Sequence, residues 1–130
     1  MPKIYPFKAT RPVRETISLV SSRNYESYDQ DEVESRLKYN PFSFLHILNP
    51  GFKYHKKLVG KDRFKPVKNR FEEFKEDEIL KKDQKAAFYI HQIIYRDQQK
   101  FIGIVGTCHA DDYLADNIKK HEDTLQPRVE

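Results

Sequence analysis

The pattern of apolar and polar positions changes period several times along this chain, and each change marks an expected element. In "YDQDEVESRLKYNP" Val33 and Leu37 fall on one helical face. Asp29 suits an N-cap, Glu32 sits where a capping box needs it, and Tyr28 and Val33 are placed as a hydrophobic staple. Asn40-Pro41 ends the pattern, so a helix is expected over 30–39. The run "PFSFLHILNPG" is apolar on both alternating faces, with Phe42, Phe44 and Leu48 on one and Leu45 and Ile47 on the other. That predicts a strand over 42–48, buried on both sides and closed by the Asn49-Pro50-Gly51 turn. A shorter apolar run, Ile17 to Val20, also reads as a strand within an otherwise irregular or extended start.

Further along, Phe64, Val67, Phe71 and Phe74 recur at helical spacing and face a core. The expected helix covers 63–79, with Pro66 in its first turn or kinking it. "AAFYIHQIIYRDQQKFIGIVGTCH" then reads as a β-hairpin, with strands near 87–95 and 100–108 around the turn Arg96–Gln99, Phe88, Ile90 and Ile94 on one face and Tyr89, Ile93 and Tyr95 on the other. Gly103 and Gly106 suggest a bulge or a close backbone approach. A short helical turn at 110–115 precedes a final segment that begins at Ile118. The fold class is therefore α+β: a small mixed or antiparallel sheet, two main helices and a C-terminal β-hairpin.

Composition narrows the picture. A chain of 130 residues reads as one domain, spanning 1–130. Nine Phe and eight Tyr carry enough burial for a core despite a charged fraction of 34%. Lys and Arg exceed Asp and Glu by only four, with the signs interspersed, which predicts solubility more than a polyanionic partner. Cys108 is the one cysteine, so neither an intramolecular disulfide nor a cysteine zinc cluster is expected. The opening lacks the apolar core of a signal peptide, no run is long enough to span a membrane, and a cytoplasmic protein is expected.

Most of the usual chemistry is missing. None of the four glycines opens a phosphate-cradling loop, and there is no G-x-S-x-G elbow. Cys108 and His109 are neighbours on a strand and point to opposite faces, which prevents direct pairing. His109, Asp111, His121 and Glu122 match no compact metal-ligand spacing, and no metal is expected. His46, inside an apolar run, reads as a core histidine with a local hydrogen bond. "FKYHKKLVGKDRFKPVKNRF" interleaves basic and aromatic residues as single-strand binders do, but "FEEFKEDEIL" cancels the charge at once. What remains is "IKKHEDT". There Glu122 is placed as a general base, His121 as a proton carrier or phosphate ligand, and Thr124 as a hydroxyl on the same side of an extended segment.

The opening "IYPFKATRP", the block "SRNYESYDQDEVESRLKYNPFSFLHILNPG", the hairpin stretch and "IKKHEDT" resemble, in order and along nearly the whole chain, one family. It is the bacterial and archaeal domain of unknown function 1015, whose N-terminal third they match and whose members are described as SpoOJ/ParB-like. That family in turn resembles the ParB/sulfiredoxin superfamily, which includes kinases of free serine. The resemblance implies that Glu122 acts on a substrate hydroxyl and that His121 neighbours it in a phosphate site. Thr124 and Arg128 join them as substrate-binding residues. It also implies a later D-G-H-H-R box, absent here, and the ending "LQPRVE" departs from the family's basic and acidic continuation.

Two expectations follow. One is the N-terminal domain of a ParB-like, nucleotide-dependent protein acting on a small hydroxyl substrate such as serine or phosphoserine. The full-length protein would use ATP, ADP or CTP with Mg, and this shorter chain would hold no cofactor and be inactive alone. The other is a stand-alone, non-catalytic protein-interaction module, working as a homo-oligomer or with a protein partner. An exposed edge strand in the 87–108 hairpin gives such a module a route to dimerisation. Nucleic-acid binding ranks behind both, and no membrane is involved.

Overall fold

In the computed structural model, which describes residues 1–119, short strands alternate with short helices. In chain order these are β1 (Ile4–Tyr5), β2 (Thr10–Pro12), α1 (Ile17–Val20), α2 (Gln30–Tyr39), α3 (Leu45–Leu48) and α4 (Phe64–Glu76). They continue with β3 (Leu80–Lys82), β4 (Tyr89–Ile94), β5 (Lys100–Val105), β6 (Thr107–Cys108) and α5 (Ala110–Leu114). Single 3-10 turns lie at Tyr25–Ser27, Pro50–Tyr54 and Gly60–Arg63. The strands form three two-stranded sheets, β1 with β6, β2 with β3 and β4 with β5. The α+β class stands. The described chain divides into two compact units, a helical one over residues 10–81 and a strand-rich one from residues 1–9 and 82–119.

The helical unit is built on α2, α3 and α4. In α2 the capping box is complete: Asp29 Oδ1 accepts from the Glu32 amide at 2.7 Å, and Glu32 Oε2 accepts from the Asp29 amide at 3.4 Å. Asn40 closes the helix, its amide donating to the Arg36 carbonyl and its side chain to the Leu19 carbonyl at 2.7 Å.

The expected strand over 42–48 is instead a turn leading into one turn of helix. Asn40 Oδ1 accepts from the Phe42 amide and Ser43 Oγ from the Leu45 amide, which starts the helical turn. Leu45, His46 and Ile47 are all buried and Leu48 is 42% exposed. A short apolar run with three consecutive buried positions carries no period to tell strand from helix.

The Ile17–Val20 strand is likewise a helix: the Val20 amide donates to Thr16 and the Ser21 amide to Ile17. Only Val20 of these four is buried, so a single side chain docks and no strand face exists.

Helix α4 starts with Pro66 in its first turn, as expected, but stops at Glu76 rather than at 79. Glu78 takes a left-handed conformation (φ 56°), and the Ile79 amide reaches the Phe74 carbonyl at 3.0 Å while the Glu78 amide reaches Lys75. That is a Schellman C-cap with glutamate where glycine is usual, and its characteristic apolar contact joins Ile79 to Phe74 in the core. Val20, Ile47, Phe74, Ile79 and Leu80 form that core, with Phe42, Phe44, Val67 and Phe71 packed against it. Phe64 leaves the expected stripe: it is half exposed, with the Arg63 guanidinium above its ring.

In the strand-rich unit, β4 and β5 pair antiparallel with Ile90 opposite Ile104, Gln92 opposite Ile102 and Ile94 opposite Lys100. The turn keeps Gln98 left-handed (φ 66°), with Tyr95 and Gln99 bonded across it, and Asp97 Oδ1 accepts from the Gln99 amide. After Gly106 the chain leaves this ladder, and β6 pairs antiparallel with β1, Cys108 opposite Ile4. The second expected strand is thus two shorter ones.

Candidate functional site

His121, Glu122, Thr124 and Arg128 lie outside the described residues. What is defined is the segment that leads to them. His109 caps α5, its Nδ1 accepting from the Asp111 amide at 3.3 Å. At the other end Asp116 is left-handed (φ 58°), and the amides of Asn117 and Ile118 both donate to the Asp112 carbonyl. Asn117 Nδ2 also donates to Asp112 Oδ1. Asp112 thus anchors the chain down to Ile118, and Lys119 pairs with Asp116 at 2.9 Å.

His109 and Asp111 do come together, Nδ1 to Oδ2 at 3.2 Å, on an exposed corner. Among the described residues no third His, Cys, Asp or Glu joins them in a metal-sized group. Cys108 is exposed on β6.

The opening motif "PFKA" has a definite structural role. Phe7 and Ala87 exchange backbone hydrogen bonds at 3.1 and 3.0 Å, and the Asp83 amide donates to the Ala9 carbonyl at 2.8 Å. Tyr89 ties these strands together: its hydroxyl accepts from the Ala9 amide at 3.0 Å and lies 2.5 Å from Asp83 Oδ2 and 3.2 Å from the Phe7 carbonyl. The single hydroxyl proton goes to the carboxylate, the shorter and charge-assisted bond. The rings of Phe7 and Tyr89 pack at 5.1 Å.

In the helical unit two ionisable groups depart from their ordinary values. Burial pushes the His46 imidazole below its usual value, and the Arg70 cation adds to this. The Asn40 carbonyl, 3.1 Å from Nε2, opposes it. A carbonyl only accepts, so Nε2 carries the proton of the neutral ring. His46 is therefore the locally bonded core histidine the sequence implied. Burial pushes the Glu73 carboxyl up, but hydrogen bonds from Lys53 and Arg70 outweigh it and hold the group below its usual range. This pairing ties part of the basic, aromatic-rich segment to α4 itself. A shallow depression at the start of α2, lined by Asp29, Asp31, Glu32, Ser35 and Arg36, includes the same capping groups.

The feature that sequence reasoning passed over is a sheet face. On one side of β4–β5 the register aligns Ile90 with Ile104 and places Ile102 and Ile94 beside them. Ile90 is 78% exposed, Ile104 77% and Ile102 68%. The face extends past the ladder: a Cβ on Gly106 would meet Ile4 Cγ2 at 2.7 Å and the Phe88 ring at 3.1 Å. Gly106 is thus the close approach the sequence suggested, and it lets Ile4 and Phe88, themselves at least half exposed, continue the apolar surface. A Cβ on Gly103, which pairs with His91, would meet nothing within 4 Å. Strand geometry alone places Phe88, Ile90 and Ile94 on one face, but no sequence signal states whether another layer covers it.

Among the described residues no helix is long and apolar enough to cross a membrane. No curated protein and no solved structure matches the chain. One family model does match, over residues 4–130 and so over the opening motif, the capped helix, the hairpin and the HEDT box alike, and the chain belongs to that family, described as protein of unknown function DUF1015.

Proposed function

We propose that the described part of this chain is a docking module, and that the isoleucine face of β4–β5 is its working surface. The observation that carries this reading is the exposure of Ile90, Ile102 and Ile104 on one continuous face. Contiguous apolar patches of several hundred Å² are uncommon on monomeric proteins and mark interaction sites. A two-stranded hairpin is also marginal in water without a further layer, so burying this face stabilises the strand-rich unit as well. A test is the binding of an apolar dye at sub-micromolar protein. The wild-type chain should enhance the dye's fluorescence severalfold more than the double variant Ile90→Thr, Ile104→Thr, with unchanged circular dichroism. Equal fluorescence from both proteins sinks the docking reading.

A second reading concerns the whole protein. It is a ParB-like, nucleotide-dependent enzyme of the cytoplasm that acts on a small hydroxyl substrate such as serine or phosphoserine. Glu122 would be the base, with His121, Thr124 and Arg128 on the substrate side and ATP, ADP or CTP with Mg as the nucleotide. What supports it is the H-E-x-T box at His121–Thr124, placed two residues after a segment that Asp112 anchors. A thermal-shift screen with the three nucleotides, serine and phosphoserine checks it, because a ligand that binds the native state must raise its apparent stability. A rise with a nucleotide that disappears in Glu122→Gln or His121→Ala supports the reading, and no rise with any ligand removes it.

A further inference from the structure

We infer that the isoleucine face of β4–β5 binds the same face of a second copy of this chain, forming a two-fold symmetric dimer. The inference rests on the docking reading above and names the partner.

Ile4, Phe88, Ile90, Ile94, Ile102 and Ile104 are each between half and four-fifths exposed. At roughly 150–200 Å² for a fully exposed large side chain, they present about 600–800 Å² together. Two such faces bury on the order of 1,200–1,600 Å², the size of a stable, specific interface. One face against its own copy therefore meets the requirement without recruiting any other surface.

Strands β4 and β5 carry no acidic residue, and Lys100 is their one lysine or arginine. Nothing on the face selects a charged partner. Lys100 lies opposite Ile94 at the turn end of the ladder, whereas Ile90 and Ile104 lie at the other end. A two-fold axis running across the strands reverses one copy end for end. The two Lys100 ammonium groups then sit at opposite ends of the interface and do not meet. Each flexible stem covers apolar surface of the other copy while its head reaches water. An isologous interface needs just such a self-complementary patch.

Packed sheets lie about 10 Å apart, with side chains from both inner faces interdigitating. The ladder supplies branched side chains on adjacent strands for this, Ile90 opposite Ile104 with Ile94 and Ile102 on the same face.

Sedimentation equilibrium of the full chain, from sub-micromolar to the hundred-micromolar range, tests this. The expected result is a reversible shift from monomer to dimer mass. Dye fluorescence per chain should fall over the same concentration range. Ile104→Lys puts an unpaired ammonium into the interface of each copy and should weaken association at least about a hundredfold. The substituted position is exposed, so the folded chain should keep its circular dichroism. A dimer that survives Ile104→Lys unchanged overturns the inference, as does a chain that stays monomeric throughout. Co-purification with a different protein whose release requires this face also overturns it. A monomer whose dye binding still depends on Ile90 and Ile104 leaves the docking reading standing and removes only the second copy. A monomer that shows no such dependence removes both.

Discussion

Every buried hydrophobic side chain among the described residues lies in the helical unit, and the strand-rich unit has none. The contrast does not come from composition, since the strands β4 and β5 are among the most apolar stretches of the chain. It comes from geometry. Helices α3 and α4 bring Ile47 and Phe74 to a shared core with Val20, Ile79 and Leu80, so these side chains lose nearly all their contact with water. Two strands have two faces and, among the described residues, no second layer over them, so the same kinds of side chain remain wet. The helical unit is stabilised by its own burial. The strand-rich unit is held by backbone ladders and by the Tyr89 junction, and its apolar side chains stay exposed.

The largest test of that comparison is a pair of truncations. Phe74→Ala should cost about 3–5 kcal/mol of folding stability. Ile104→Ala, made in chain dilute enough to stay unassociated, should change it by no more than about 0.5 kcal/mol. Urea denaturation of both variants checks this, and similar losses would mean that the hairpin is as well packed as the core. A smaller effect is expected at the strand junction. Tyr89→Phe removes the acceptor for the Ala9 amide and the partner of Asp83 at a half-buried site, which should cost about 1–2 kcal/mol. Amide exchange should locate the loss at Phe7, Ala9 and Ala87, leaving α2 and α4 protected; faster exchange in the helices would break the distinction between the units.

The most graded effect is on pH. His46 is held below its ordinary value of 6.5, so the unfolded chain takes up a proton before the folded one does. Its contribution is fully present above about pH 6.5 and is lost as pH falls below that. Glu73, also held below its ordinary value of 4.5, adds a contribution present above about pH 4.5 and lost below it. Acid should therefore weaken the helical unit in two stages, the first abolished by His46→Gln. A single transition near pH 4 in both proteins would remove the His46 term.

The parts of this fold legible in the sequence are those governed by bonds between near neighbours. Asp29 and Glu32 announce α2 because a capping box closes within four residues. The hairpin is legible because two runs rich in β-branched and aromatic residues flank a polar turn, and Pro66 is legible as a first-turn residue because only there is its missing amide harmless. Ile17–Val20 and Phe42–Leu48 were misread because each is a short apolar run whose surroundings decide its conformation. The end of α4 was misread because Glu78 adopts the left-handed cap that glycine normally signals, held there by the burial of Ile79.

The candidate chemistry divides the same way. The sequence alone singles out His121, Glu122, Thr124 and Arg128, and it identifies the family through blocks spread along the chain. It also implies that His46 is structural, which its burial and its bond to Asn40 bear out. Only the tertiary structure assigns Phe7, Ala9, Asp83 and Tyr89 to one junction, because residues some eighty positions apart meet there. Only the tertiary structure leaves the isoleucine face uncovered. Alternation states which residues share a face, but whether that face meets water or another layer depends on what the rest of the chain brings over it.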